Sequence, residues 1–240
     1  MNKLNGIISG AAIIIAVLSG TPQKIKAQTV LLHVDRAVDS IPSRVGPNLP
    51  MFVHWFIAAG LTADKSGDGV PINNFLSPQF SIGIRNKFKL SPVFSAGYEM
   101  GFRTEIYKLD QTDSKQFPDT IKHQAARLGF SSIGLGAFLR TNFDPGRGNV
   151  LGKFIDLGIH GGWNFDSRYV VKEKAPDGSK IKIREKGLPY TEAFESIVFV
   201  RLGFYKASIF VNRRLTDLFK NKYNLPELPL YHVGIEMALY

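Results

Sequence analysis

The sequence predicts an all-β protein, an eight-stranded antiparallel transmembrane β-barrel whose strands follow one another as an up-and-down meander. Apolar and polar residues alternate within most of its strand-like segments. These segments reach the roughly 9–11 residues of a tilted membrane strand, and the connections between them alternate between short and long. The composition agrees, because 18 Phe and 23 Gly among 240 residues favour strands over helices.

Eight segments carry the alternating pattern. An even number of strands places the N- and C-termini of the barrel on the same side of the membrane. They are about 50–62, 78–89, 93–108, 123–141, 153–170, 191–205, 207–215 and 230–240. The connections after the second and sixth segments are short, and the one after the fourth is intermediate. The long connections are 63–77, 109–122, 171–190 and 216–229. Short turns on one side and long loops on the other are typical of outer-membrane barrels.

The fifth segment shows the two faces most clearly. Its apolar face is Ile155, Leu157, Ile159, Gly161, Trp163 and Phe165, and its other face is Asp156, Gly158, His160, Gly162, Asn164, Asp166 and Arg168. Small residues and charges of both signs suit a narrow barrel interior. The apolar face is therefore expected to contact lipid.

Two segments depart from the pattern. In the fourth, Leu128 and Phe130 fall on one parity and Ile133 on the other, which predicts a bulge near Ser131–Ser132 that resets the phase. In the seventh, Arg213 shares a face with apolar residues. Arg213 is therefore expected to lie beyond the hydrocarbon.

The start of the chain resembles a secretory signal. Residues 1–27 combine an early lysine, an apolar stretch too short to span a bilayer, and a small-residue exit at Ala27. We expect residues 28–48 to form a periplasmic arm and residues 49–240 to form the barrel in the outer membrane. The absence of cysteine excludes disulfides and thiolate metal sites.

The last strand carries the features of an outer-membrane assembly signal: a polar residue, then a glycine, then apolar residues near the end. The matching residues are His232, Gly234, Met237 and Leu239. Insertion machinery that reads this signal is an expected partner. We also expect the last strand to pair with the first, since open sheet edges do not persist in lipid.

The strand pattern, this ending and the stretch "NRRLTDLFKNKYNLPELPLYHVGIEMAL" make residues 49–240 similar to the PorT-like family of small eight-stranded outer-membrane barrels. The resemblance implies a non-enzymatic, multi-pass outer-membrane protein. Some family members serve type IX protein secretion, so it also implies protein partners in an envelope or secretion complex. Lipid, including lipopolysaccharide, is an expected neighbour.

The charged residues of the polar faces are the candidate site. We predict that they form an ion-pair network inside the lumen, because an unpaired buried charge is costly. The members are Arg85, Glu99, Arg103, Glu105, Asp156, His160, Glu195, Arg201 and Glu236. The alternative is a small-solute pore or ligand-binding barrel, since eight strands can enclose one small ligand.

Catalytic, metal and nucleic-acid functions are not expected. His54, His232 and Glu236 face one way on neighbouring strands, but no serine accompanies them. The stretch at Asp64–Gly69 starts like a calcium loop, yet Phe75 stands where a glutamate ligand is required. The formal charge of +10 occurs without any nucleic-acid-binding motif. We predict no cofactor and no metal.

Two surface features complete the prediction. Alternating arms flank "PDG" within 171–190, which indicates a basic hairpin outside the membrane. It is either a solvated loop near lipid phosphates or a docking surface for an acidic partner. The candidates for the interfacial aromatic belts are Trp55, Trp163, Tyr98, Tyr169, Tyr205, Tyr231 and Tyr240.

Overall fold

The computed structural model describes residues 46–113, 115–175 and 177–240. The predicted signal and most of the predicted arm lie outside this range. The described residues form two 3-10 helices, Asn74–Leu76 and Asn221–Tyr223, and nine strands. The strands are β1 (Met51–Thr62), β2 (Pro78–Lys89), β3 (Phe94–Leu109), β4 (Ala125–Asn142), β5 (Lys153–Lys174), β6 (Lys180–Lys186), β7 (Phe194–Phe204), β8 (Ala207–Arg214) and β9 (Tyr231–Leu239).

Eight of the strands close into a barrel. Each is antiparallel to its neighbours in the order β1-β2-β3-β4-β5-β7-β8-β9, and β9 pairs back onto β1 with Ala58 opposite Glu236. The predicted fold class is confirmed. Closure leaves the ring without an open edge, as a sheet in lipid requires.

The ninth strand belongs to the predicted hairpin. β5 has 22 residues: Lys153–Trp163 pairs with β7, whereas Arg168–Lys174 pairs with β6. The hairpin is confirmed, but its second arm is a strand separate from β7. Gly187, with a φ of 66°, begins the connection between them.

The predicted bulge is confirmed between Ser131 and Ser132, although the phase changes on the opposite strand. Ser131 pairs with Asp166 and Ser132 with Asn164, so the register skips Phe165 of β5. β4 keeps one parity throughout, and Leu128 is buried inside the barrel rather than facing outward. The expectation of a phase reset within β4 was wrong.

The bulge also relocates one predicted belt residue. Beyond Phe165 the odd-numbered residues of β5 point inward, and Tyr169 is buried. Its assignment to the aromatic belt was wrong for that reason. The other six belt candidates are exposed.

Phenylalanines fill the narrow interior by lying over glycines of the adjacent strand. A Cβ atom added at any of these glycines would collide with the paired ring. Glycine is therefore required for space, an arrangement known to pin strand register. The directly opposed pairs are Phe56–Gly83, Phe138–Gly97, Phe199–Gly158, Phe154–Gly203 and Phe210–Gly234.

We expect Gly203→Val to lower the free energy of unfolding by about 1–3 kcal/mol, because the new side chain overpacks against Phe154. Gly161→Val is the matched control. Gly161 is exposed on the outer face of β5, and a Cβ there meets no atom within 4 Å. Urea unfolding of the detergent-refolded protein measures both. Equal destabilisation by the two variants would contradict the interior packing.

The outside of the barrel is apolar. Along β1 every second residue is exposed, from Met51 to Leu61, and the same alternation exposes Met100, Leu135, Ile159 and Ile235 on other strands. Arg213 pairs with Tyr231, and its guanidinium lies 5.7 Å from that ring, at the long-loop end of the wall. Among the described residues, no helix is long and apolar enough to span a membrane.

Candidate functional site

A buried ion-pair network crosses the middle of the barrel. Arg201 reaches three carboxylates: Nη2 lies 3.0 Å from Glu99 Oε2, Nη1 lies 3.0 Å from Asp156 Oδ2, and Nε lies 3.4 Å from Glu236 Oε2. Arg85 donates to both oxygens of Glu236, at 2.7 and 2.8 Å, and to Glu99 at 2.9 Å. The network thus joins strands from opposite sides of the ring.

Arg140 extends the network towards the short-turn end. Its Nε and Nη2 lie 2.6 and 2.8 Å from the two carboxylate oxygens of Asp156, a bidentate pair. With Arg140 included, three arginines balance three carboxylates. A charge-balanced, bidentate arrangement is what makes buried ions tolerable in a medium that solvates them poorly.

The same arginines stack on the phenylalanines that cover the glycines. Arg85, Arg201 and Arg140 lie 4.4, 4.5 and 3.5 Å from the ring centroids of Phe56, Phe199 and Phe154, respectively. Cation–π attraction strengthens when both partners are desolvated. Glycine, phenylalanine, arginine and carboxylate therefore form successive layers that occupy the lumen.

A second polar group lies nearer the long loops. Tyr107 Oη donates to Glu105 at 2.8 Å, and His232 Nε2 is 3.5 Å from the same hydroxyl. Glu195 accepts from Ser132 at 2.7 Å. Arg103 Nη1 lies 3.8 Å from Glu195, which is an ion pair without a hydrogen bond.

Both mouths of the barrel are covered. At the short-turn end, Phe52, Leu151, Phe154 and Ala238 form an apolar cluster. Lys87 Nζ donates to the Pro47 carbonyl there. At the other end, all four long loops contribute to one apolar cap. Its buried members are Val70, Tyr107, Leu109, Phe117, Ala126, Leu128, Phe130, Tyr169, Val171, Leu188, Leu218, Phe219 and Leu228.

The internal space beside the ion-pair network is small. A cavity of about 30 Å³ lies beside Glu99, Arg103, His160 and Arg201. This volume accommodates one or two water molecules. The described residues thus leave no room at this level for a solute larger than water.

Asp119 organises the loop between β3 and β4. It accepts from Lys115 Nζ at 2.8 Å and from the Tyr169 hydroxyl at 2.7 Å, and it lies 3.1 Å from His123 Nε2. Partial burial raises the pKa of this carboxyl, but the hydrogen bonds from Lys115, Tyr169 and His123 outweigh burial and lower the pKa to about 2.

We expect the stabilising contribution of Asp119 to be complete above its unfolded pKa of about 3.8 and to disappear as the pH falls through about 2. The difference in thermal midpoint between the protein and Asp119→Asn should therefore be constant above pH 4 and shrink below it. Asp68→Asn is the control, because Asp68 is exposed in the loop between β1 and β2 and its carboxylate makes no ion pair or hydrogen bond with another described residue. A difference that grows with acidification would contradict the role of the carboxylate.

The structure places all nine predicted network residues inside the barrel, where all are buried. They lie in the two groups described above, with His160 beside the cavity. Among the assembly-signal residues, Met237 and Leu239 face outward, His232 faces inward, and Gly234 lies under Phe210. The role of that signal stays a prediction.

Two interior arginines were absent from the prediction. Arg140 was left out although its position next to the outward Leu139 marks it as inward, and the assumed phase reset in β4 did not change that parity. Arg214 forms an ion pair with Glu227 at 2.7 Å. It follows the outward Arg213 on β8, so the alternation of the strand also predicts that it points inward.

The histidines of the rejected catalytic set do not meet. His232 pairs with Thr62, eight residues along β1 from His54, which corresponds to about 26 Å. His54 stacks on Phe52, with ring centroids 5.0 Å apart. Among the described residues, no group of three or more acidic or histidine side chains is arranged to hold a metal.

No protein-family model and no curated protein matches the chain. Among solved structures, it is similar to Ail, the attachment invasion locus protein of Yersinia pestis, solved in complex with the heparin analogue sucrose octasulfate. The identity is 7% and the TM-score 0.36, over 78% of this chain and 97% of that chain. The barrel of the present protein is identified by its own strand pairing.

Proposed function

We propose that this protein is an integral outer-membrane β-barrel without enzymatic activity, which acts as a structural or accessory subunit of an envelope complex. The observation that carries the proposal is the inverted polarity of the closed ring. Large apolar side chains cover its outside, and ion-paired side chains fill its inside. A water-soluble barrel has no use for this arrangement, whereas lipid requires it.

A role in an assembly, rather than in transport, is supported by the filled lumen. The central ion pairs, the layered aromatic rings and the covered mouths oppose a pore or ligand-binding barrel. The resemblance to PorT-like barrels supports protein secretion of the type IX kind as the setting. The protein partners are then expected to contact the loops or the segment before β1.

Insertion and conduction test the first part of the proposal. The full-length protein, refolded in detergent, is expected to show heat-modifiable gel migration and to insert into planar bilayers without discrete conductance steps. Stable channel openings would favour the pore. Solubility without detergent would overturn the membrane location.

Co-purification tests the second part. Detergent-solubilised, tagged protein from envelopes is expected to retain specific envelope proteins after cross-linking, and a similarly tagged unrelated small barrel serves as control. Recovery of the insertion machinery alone would contradict a subunit role.

A further inference from the structure

One face of the β5–β6 hairpin and the adjacent strand ends is strongly basic. Directly opposed residues of an antiparallel sheet share a face, and the pairs Lys172–Lys182 and Lys174–Lys180 place their side chains together. We call this surface the basic face. Its eight cations are Lys108, Arg127, Lys172, Lys174, Lys180, Lys182, Arg184 and Lys186.

The charged groups of the basic face are not neutralised by the described residues. No described side chain forms an ion pair or hydrogen bond with the ammonium or guanidinium group of any of the eight. The one acidic residue that shares this side of β5, Asp166, is held by Arg168 at 3.1 Å. The opposite side differs, because Ile181 and Ile183 lie there with Glu185. The cations are thus sorted onto one side.

The basic face continues the lipid-facing wall. Tyr169 and Val171 point inward and belong to the apolar cap. The alternating residues of β5, which are Arg168, Val170 and Lys172, therefore point outward. Trp163 and Phe165 are exposed on the same wall of the same strand. The cations therefore begin where the apolar belt ends, at the level of the headgroups.

The height of the basic face exceeds an ordinary headgroup layer. From the Arg168–Lys186 pair to the Lys174–Lys180 pair, the strands advance by six residues. This is about 20 Å along the strand, or about 15 Å along the membrane normal at a tilt near 40°. A phospholipid headgroup layer is only about 5–8 Å deep.

A shallow depression lies within this surface. Its volume is about 230 Å³, and it is lined by Lys108, Ala125, Ala126, Arg127, Val170 and Lys172. Three cationic side chains in the lining of one small depression suit a phosphate group.

We propose that the basic face binds the phosphates of a large phosphorylated glycolipid headgroup in the leaflet that surrounds the long-loop end. Its orientation along the lipid-facing wall favours a membrane lipid over a protein partner. Its height favours a headgroup with phosphates at more than one depth. The inference rests on the proposed membrane location.

The test compares two triple variants of the full-length protein in non-ionic detergent, titrated with fluorescent diphosphoryl lipid A in mixed micelles. Each cation near an anionic surface strengthens binding roughly five-fold. Replacing Lys172, Lys182 and Arg184 with glutamine is therefore expected to weaken binding about 100-fold. The control variant replaces Lys65, Lys122 and Lys222 with glutamine, and these are exposed cations of other loops. It is expected to change the affinity for lipid A less than about five-fold.

Three further probes discriminate the ligand. Dephosphorylated lipid A and phosphatidylglycerol are expected to bind more weakly than diphosphoryl lipid A, and polyglutamate is not expected to compete. Equal losses in the two variants, displacement by inorganic phosphate, or preferential binding of polyglutamate would each overturn the proposal. Heat-modifiable migration verifies that both variants are folded. The same measurement distinguishes a loss of lipid A binding from a failure of the variant to form the membrane barrel.

Discussion

Replacing Arg201 with methionine is expected to lower the free energy of unfolding by about 3–5 kcal/mol, the largest effect of any single change discussed. Arg201 lies within ion-pair distance of Glu99, Asp156 and Glu236. Without it, the remaining arginines face three buried carboxylates that were previously balanced. Glu99 and Asp156 then each lose a hydrogen-bond donor, and Glu236 loses an ion-pair partner, inside a largely filled lumen.

The measurement is reversible urea unfolding in detergent or lipid vesicles, and the control is Arg213→Met. Arg213 lies at the rim, contacts Tyr231, and makes no ion pair with another described residue. Its replacement is expected to change the free energy of unfolding by less than about 1 kcal/mol. If Arg201→Met were as mild as the control, the interior pairs would not be needed to hold the barrel closed.

Removing both members of an ion pair should be less harmful than the two separate removals taken together. Arg140 and Asp156 bind each other at 2.6 and 2.8 Å. We therefore expect the double replacement by apolar residues to cost less than the sum of the two single changes. Additive losses would indicate that the two side chains act independently.

Ile235→Arg is expected to destabilise the protein in bilayers by about 2–4 kcal/mol, the cost of an arginine on the lipid face near the membrane midplane. Ile235 is 68% exposed in the middle of β9. On a surface turned to water, the same change would be close to neutral, since exposed substitutions usually are. The prediction therefore separates lipid from water as the outer solvent.

Ile183→Arg is the matched control for this prediction. Ile183 is 57% exposed on β6, outside the barrel ring. We expect it to leave the free energy of unfolding nearly unchanged, because it lies beyond the hydrocarbon. A similar loss from both variants, or none from Ile235→Arg in lipid vesicles, would contradict the membrane-facing assignment.

Alternation alone was sufficient to predict most of the barrel. A strand with one face in lipid and one in the lumen must repeat every second residue, so Arg85, Glu99 and Glu236 could be assigned to the interior without a structure. The limit of that method was β4, where Leu128 and Phe130 were taken as lipid-facing. Apolar side chains also fill the barrel interior at the long-loop end. An apolar residue there can therefore belong to either the inner or the outer face of its strand.

The contacts inside the lumen could not be read from the chain. Arg85 and Glu236 are 151 positions apart in sequence, and they meet only because β9 closes onto β1. Strand polarity specifies that a residue points inward, but not how far along the barrel axis it lies. His54 and His232 illustrate this, since both point inward at opposite ends of the barrel.

The sequence by itself determined the number of barrel strands, the inward and outward faces of most of them, and the presence of the basic hairpin, because these follow from local periodicity and turn chemistry. Only the tertiary structure determined which charges pair, which rings cover which glycines, and on which strand the bulge lies. Those features depend on register and closure, which combine distant segments into one interior. The physical reason is that hydrogen-bonded pairing across the ring, rather than the order of residues along one strand, sets the height of each side chain.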